Sequence, residues 1–240
     1  MSSCTVSISS ASSTLRSTLF PPLQLKENKQ WEIALLDFTT YNSIPNIIEG
    51  VNNSFYYVKN KDSQGTLQPR EVFKFQTGSY EISDINEELQ RNLGKDAIEL
   101  KANNNNLRSE IKCKYYIDFA QPGSIGPLLG FPLNSAILEP NVVHTSVTTV
   151  NIIKVNTINI TCNIVQGAYK DGSNQHILHT FYPTVPPGFK IVEKPHNLIY
   201  LPLNTTRVSD IVLNVLDQDG DIVDFRGEVI TIRLHIRPTP

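Results

Sequence analysis

From Val229 to Arg237 the chain alternates, with Ile230, Ile232, Leu234 and Ile236 apolar and Thr231, Arg233, His235 and Arg237 polar. A period of two buries one face of a β-strand and wets the other. Val208–Leu216 repeats the pattern: Ile211, Leu213 and Val215 mark one face, while Val212 and Leu216 add apolar bulk to the other. Asp217-Gln218-Asp219-Gly220-Asp221 between them is rich in turn formers, so the two segments are expected as a hairpin. A terminal strand is expected inside its sheet, because a free terminal edge invites aggregation.

Upstream the material is similar. Residues 2–18 are rich in Ser and Thr; Val6 and Ile8 alternate with small polar residues, which suits a short edge strand or an N-terminal arm over 1–18. Phe20-Pro21-Pro22 punctuates the chain before 19–240, which shows no composition shift and is expected as one domain. Strands are expected at Trp31–Phe38, Phe55–Val58, Val72–Phe75, Ile98–Lys101 and Ile111–Phe119, with Asn103–Asn106 as a hairpin tip whose asparagines tolerate left-handed backbone. Val142–Val150 and Ile152–Ile164 are rich in Val, Ile and Thr and read as strands. Asp171-Gly172-Ser173-Asn174 turns the chain into Ile177–Tyr182, and Phe189–Glu193 and Leu198–Leu201 follow. One helix is expected over Asp84–Leu93. Asp84 caps it, Glu87 completes a capping box, Ile85, Leu89 and Leu93 share a face, and Gly94 stops it. Asn86, Glu87, Gln90 and Arg91 should face water. About ten short strands at turn-punctuated spacing predict an all-β sandwich or barrel with one short helix, and an antiparallel β-sandwich is the fold expected.

Composition narrows the function. With 21 basic and 23 acidic residues and a formal net charge of −2, the chain lacks the basic excess of a general nucleic-acid or anionic-membrane binder. Cys4, Cys113 and Cys162 have no paired spacing and read as free thiols. No basic region followed by an apolar run opens the sequence, and no apolar run reaches membrane-spanning length. A protein that is not secreted is the expectation. Asn52-Asn53-Ser54, Asn159-Ile160-Thr161 and Asn204-Thr205-Thr206 match the glycosylation pattern by chance in an Asn-rich chain.

Candidate chemistry is sparse. Asp217, Asp219, Asp221, Asp224 and Glu228 echo a calcium loop, with Asp at positions 1, 3 and 5 and Glu at 12. Glycine falls at the fourth position, Ile222 takes the sixth, and the flanks are strands, so a solvated turn is the other reading. His176 and His179, three apart in a strand, point to opposite faces. His144, His196 and His235 are isolated in sequence. No Gly-x-Ser-x-Gly elbow, HExxH, Walker loop or CxxC pair occurs, so no catalytic, cofactor or metal set is assigned. Tyr and Phe at 55, 56, 57, 115, 116, 119, 181 and 182 are expected to pack in the core or between subunits.

Three stretches resemble one family. Trp31-Glu32-Ile33-Ala34-Leu35-Leu36-Asp37-Phe38 with Tyr41-Asn42-Ser43-Ile44-Pro45-Asn46-Ile47, the segment Ile125-Gly126-Pro127-Leu128-Leu129-Gly130-Phe131, and Leu216–Ile236 with its Asp224-Phe225-Arg226-Gly227-Glu228 are similar to penton, or minor capsid, proteins of the Polinton/Maverick and adintovirus group. The resemblance implies a single jelly roll, a homopentamer at the fivefold vertices of an icosahedral virion capsid, and a neighbouring double jelly-roll major capsid protein. It implies synthesis in the host cytoplasm or nucleus, and Asp224–Glu228 as a turn steering the last strand, with Arg226 paired to an acid. The alternative class is a β-sandwich module that binds carbohydrate or a host receptor; a hydrolase is a third. A ring needs a heterologous contact with apolar anchors. Four proline-stiffened loops supply candidates: Phe20 and Leu23, Ile44 and Ile47, Phe131 and Leu133, and Val185 and Phe189. The other reading is that these loops plug the ends of their own sandwich.

Overall fold

A computed structural model describes residues 3–26, 28–63, 65–170 and 172–239. Asp171, in one expected turn, and Met1 and Ser2 of the expected arm lie outside the described residues. The chain forms two compact units, Met1–Ile44 with Val155–Pro240, and Pro45–Lys154.

In chain order the first unit opens with β1 (Cys4–Ser10), β2 (Thr14–Gln24) and β3 (Trp31–Tyr41). The second holds β4 (Ser54–Val58), β5 (Glu71–Lys74), α1 (Ile82–Leu93), β6 (Ile98–Asn103), β7 (Arg108–Cys113), β8 (Tyr116–Ile117) and β9 (Val143–Thr145). The first resumes with β10 (Ile158–Cys162), β11 (Ala168–Lys170), β12 (Ser173–Gln175), β13 (Ile177–Phe181), β14 (Lys190–Glu193), β15 (Leu201–Pro202), β16 (Arg207–Leu216) and β17 (Ile230–Pro238). All the strand ladders are antiparallel.

Two sheets make the first unit. One runs β1-β17-β3-β14, with β15 also on β3; the other runs β13-β10-β16-β2. Set aside β15 and the small β11-β12 ribbon, and eight strands remain. Numbered along the chain, they fall in the orders 1-8-3-6 and 5-4-7-2. Every connection except β10 to β13 passes from one sheet to the other. This is the interleaved order of a jelly roll. The fold is an all-β, antiparallel sandwich of jelly-roll type: the alternation predicts the strands, and the jelly roll is what the resemblance implies.

The expected C-terminal hairpin is not one. β16 and β17 lie in different sheets, and their alternating faces meet across the core. Ile211, Leu213, Val215, Ile230, Ile232, Leu234 and Ile236 are all buried in one cluster. The Asp-rich turn does fold back on β16: Leu216 bridges Ile222, and Val223 N–H donates to Val215 O at 3.0 Å. Phe225 then enters the core beside Phe38, ring centres 6.2 Å apart, and the chain crosses to the facing sheet. Two strands whose apolar faces are this complete bury more surface facing each other than side by side. β17 does lie inside its sheet, between β1 and β3. Of residues 1–18, 4–10 form the edge strand β1 and 14–18 begin β2; Ile8 and Leu15 are buried.

The second unit has two three-stranded sheets, β5-β4-β8 and β6-β7-β9, with α1 packed along β6. The helix starts earlier than expected. Glu81 is its N-cap, and Asp84, at the third helical position, accepts from Glu81 N–H at 2.8 Å. The box therefore sits three residues upstream, and Ile82 joins Ile85 and Leu89 on the buried face. The face expected in water is partly used: Asn86 Oδ1 accepts from Leu100 N–H at 2.8 Å and Gln90 Nε2 donates to Ile98 O at 3.0 Å. At the β6–β7 tip the left-handed residue is Leu107, at φ 57°, and no asparagine. The asparagines brace the turn through side chains instead: Asn103 Oδ1 accepts from Asn105 N–H, and Asn106 Oδ1 from Arg108 N–H.

The long Val/Ile/Thr runs shrink to β9 and β10. Val142, Val143 and Val147 are exposed, and the division between the units falls at 154/155, within a segment expected as one strand. Residues 125–131 form a compact turn. Gly130 carries φ 85°, and its carbonyl accepts from Val147 and Thr148 N–H. A Cβ there would lie 2.3 Å from Thr148 O. The glycine is thus required both by its backbone conformation and by close approach of another chain segment.

Candidate functional site

The four proline-stiffened loops divide by environment. Ile47 and Phe131 are buried in the second unit, where Phe131 stacks on Phe119 with ring centres 4.9 Å apart. They plug their own unit's core, and Leu133 beside them is exposed. Leu23, Ile44 and Val185 are partly buried against the sandwich core. Phe20 is 97% exposed and Phe189 63%.

Register explains Phe20. β2 pairs with β16 through Val208–Leu23 and Asp210–Thr18, so residues 19–22 lie opposite Ser209 alone. The extra residues bulge, and a bulge re-aims its side chains. Pro21 and Pro22 carry no N–H, so the bulge orphans no donor there. Phe189 precedes the edge strand β14, and its carbonyl accepts from Asn42 N–H at 2.8 Å. Nearby in the β3–β14 ladder, Tyr41 pairs with Lys190 and Thr39 with Val192. Tyr41 and Val192 are each about half exposed, so this edge carries an apolar patch that the sequence reading did not assemble. The signal was available in Val192, which alternates with buried Ile191. β2 and β14 are edge strands of opposite sheets.

The acidic loop is built as a turn. Asp217 is buried, and its Oδ1 accepts from Asp219 and Asp221 N–H, both at 2.9 Å. Asp224 Oδ1 accepts from Arg226 N–H at 2.7 Å, with Arg226 at φ 54°. Arg226 thus meets its acid through the backbone, and no ion pair of its guanidinium occurs among the described residues. Asp217 and Asp224 spend carboxylate oxygens on local N–H groups. Among the described residues no group of three or more His, Cys, Asp or Glu side chains is placed to hold a metal ion.

Four of the five histidines have separate partners. His179 Nε2 meets Glu193 Oε1 at 2.9 Å, and the pair is largely buried rather than on the surface. His176 and His144 contact the carbonyls of Val165 and Glu139. His235 Nδ1 lies 2.7 Å from Tyr200 Oη. On the same sheet Arg237 sits 3.5 Å from the centre of the Tyr200 ring and donates to Glu32 at 2.6 Å. Arg233 pairs with buried Asp37, whose carboxylate raises the guanidinium's pKa above its ordinary value. These contacts tie β3, β15 and β17 together. All three glycosylation matches have engaged asparagines: Asn159 is buried, Asn52 bonds Ile48 N–H and Asn46 O, and Asn204 Nδ2 donates to Asn163 O at 3.0 Å.

The second unit holds a concavity of about 750 Å³ between the start of α1, the β6–β7 tip and residues 149–152. No motif marks it, because it forms where an edge strand outruns its covering helix.

No protein-family model matches the sequence, and no curated protein matches it. Among solved structures, the crystal structure of the selenomethionine-labelled mavirus penton protein is similar, with a TM-score of 0.50 and 11% identity over 99% of each chain. At that identity the likeness is one of fold: this chain carries, along its whole length, the fold of that penton protein.

Proposed function

We propose that this chain is a structural capsid protein, the penton that forms the fivefold vertices of a virus or virus-like transposable element of the Polinton/Maverick and adintovirus group. One observation carries the reading: the interleaved eight-strand order, in a fold matched over 99% of both chains by a penton protein. The role is assembly, not catalysis. The partners are four further copies of the chain and the surrounding double jelly-roll major capsid protein, and the place of work is the virion.

A ring of five needs one side of each protomer to meet a different side of the next. The two exposed apolar features suit this. Phe20 stands on the β2 edge; Val192 stands on β14, with Phe189 just before it and Tyr41 beside it at the end of β3.

Mass photometry and negative-stain imaging of the purified chain test the reading. Rings of five are expected. A strictly monomeric protein that binds a defined glycan tightly overturns the penton in favour of a recognition module. Phe20→Ser with Phe189→Ser should stay folded, since exposed positions cost within about 0.5 kcal/mol, and should abolish the rings. Rings that persist in this variant move the contact elsewhere.

A further inference from the structure

The groove in the second unit has an unfinished β-ladder along one wall. β6 is the edge of the β6-β7-β9 sheet. Ala102 pairs with Ser109, and Ser109 turns its own backbone to the other side: Ser146 N–H donates to Ser109 O at 2.8 Å, and Ser109 N–H donates to Ser146 Oγ at 3.1 Å. Ala102–Ser109 is therefore a wide pair, and the N–H and C=O of Ala102 point away from β7. The same parity turns Ile98 C=O and Leu100 N–H outward, and there the helix takes both through Gln90 and Asn86. The helix begins at Ile82 and covers no further. Leu100 C=O and Ala102 N–H and C=O are left facing the concavity, with no protein partner among the described residues.

The rest of the groove fits what such an edge accepts. Its walls include apolar Ile82, Leu107, Val150 and Ile152. Leu107 is 65% exposed, an apolar side chain held out by the left-handed turn. The charges are uneven. Lys101 is paired with Glu99, and Glu81 caps the helix. Arg108 has no ion pair among the described residues, so the uncommitted charge is positive. Backbone groups spaced along a strand pair best with another extended backbone, and flanking apolar pockets select alternate side chains.

We propose that this groove binds an extended peptide segment of another protein by strand addition to β6. The segment carries alternating apolar side chains and a carboxylate set against Arg108. The proposal does not depend on the capsid reading.

The test is selection of displayed random nine-residue peptides on the full chain, with counter-selection on Ala102→Pro. Proline at 102 removes only the outward N–H and leaves the β6–β7 bonds intact. Enriched peptides should alternate apolar residues and carry Asp or Glu at a fixed place. Ala102→Pro should weaken them at least about tenfold with an unchanged melting temperature, and Arg108→Glu should shift preference to the Lys-for-Glu peptide. Failure to enrich, or equal binding to Ala102→Pro, overturns the proposal. So does self-association of the wild type that Ala102→Pro abolishes, since the occupant is then a second copy. Should Ala102→Pro not fold, amide exchange on the wild type decides. Slowing at Ala102 by at least about tenfold on saturation with the enriched peptide supports strand addition, and no slowing overturns it.

Discussion

The two units bury their cores by different means. In the sandwich, long alternating strands supply a mainly aliphatic core around a few aromatics, with Ile211, Leu213 and Val215 on one sheet and Ile230, Ile232, Leu234 and Ile236 on the other. In the inserted unit the strands are short, and much of the core comes from residues between them. Phe119 packs edge-on to Phe55 at 5.9 Å and stacks on Phe131 at 4.9 Å, while Ile125 and Leu129 arrive from a glycine-shaped turn. Regular strands position a core by periodicity alone. A core built from turns depends on particular backbone conformations, so single glycines matter there as much as large apolar residues do in the sandwich.

The largest expected effects come from one aromatic in each core. Phe38→Ala leaves Phe181 and Phe225 without a shared neighbour, and Phe119→Ala does the same to Phe55 and Phe131. Each should cost about 3–5 kcal/mol in urea unfolding, with amide exchange faster in the strands of its own unit. A loss under about 1 kcal/mol for Phe119→Ala would mean that the turn-built core relaxes around the cavity, and the contrast would fail.

Next comes the dependence on glycine. Gly130→Ala adds a methyl 2.3 Å from Thr148 O at φ 85°, whereas Gly220→Ala, at φ 92° in the Asp-rich turn, meets nothing within 4 Å. Left-handed strain is common to both, about 1–3 kcal/mol, so the gap between them measures packing alone. Gly130→Ala should be the more destabilising in denaturant melts; equal losses would remove close approach as the reason for that glycine.

The smallest effect concerns buried thiols. Burial pushes the Cys162 pKa in the sandwich up to about 11. Cys113 in the inserted unit is also raised by burial, but backbone N–H groups of Tyr115 and Lys114 oppose the rise. A folded-state pKa above the ordinary 9.0 means that the thiol's contribution is intact below pH 9 and is lost as pH rises towards 11. Wild type should therefore lose more stability than Cys162→Ala between pH 8 and 10.5. At pH 8 a thiol reagent should modify Cys113 before Cys162, and the reverse order would contradict the burial argument.

By itself the sequence determined the all-β class, the faces of β16 and β17 and the presence of one helix, because alternation and helical spacing are local signals. It also marked the stretch around Gly126–Phe131 as special. It did not decide that β16 and β17 part into two sheets. The faces of two strands read the same whether the strands lie side by side or across a core, and only the count of partners in each sheet distinguishes them. Nor did it separate Phe20 and Phe189, which face solvent, from Ile47 and Phe131, which are buried, although all four sit in similar proline-stiffened loops. That distinction rests on a bulge opposite Ser209 and on a turn closed by Thr148, contacts between residues far apart in the chain. The groove beside β6 is of the same kind: an unpaired edge exists only where a helix stops short of it, and that length is set by packing, not by any residue in the edge itself.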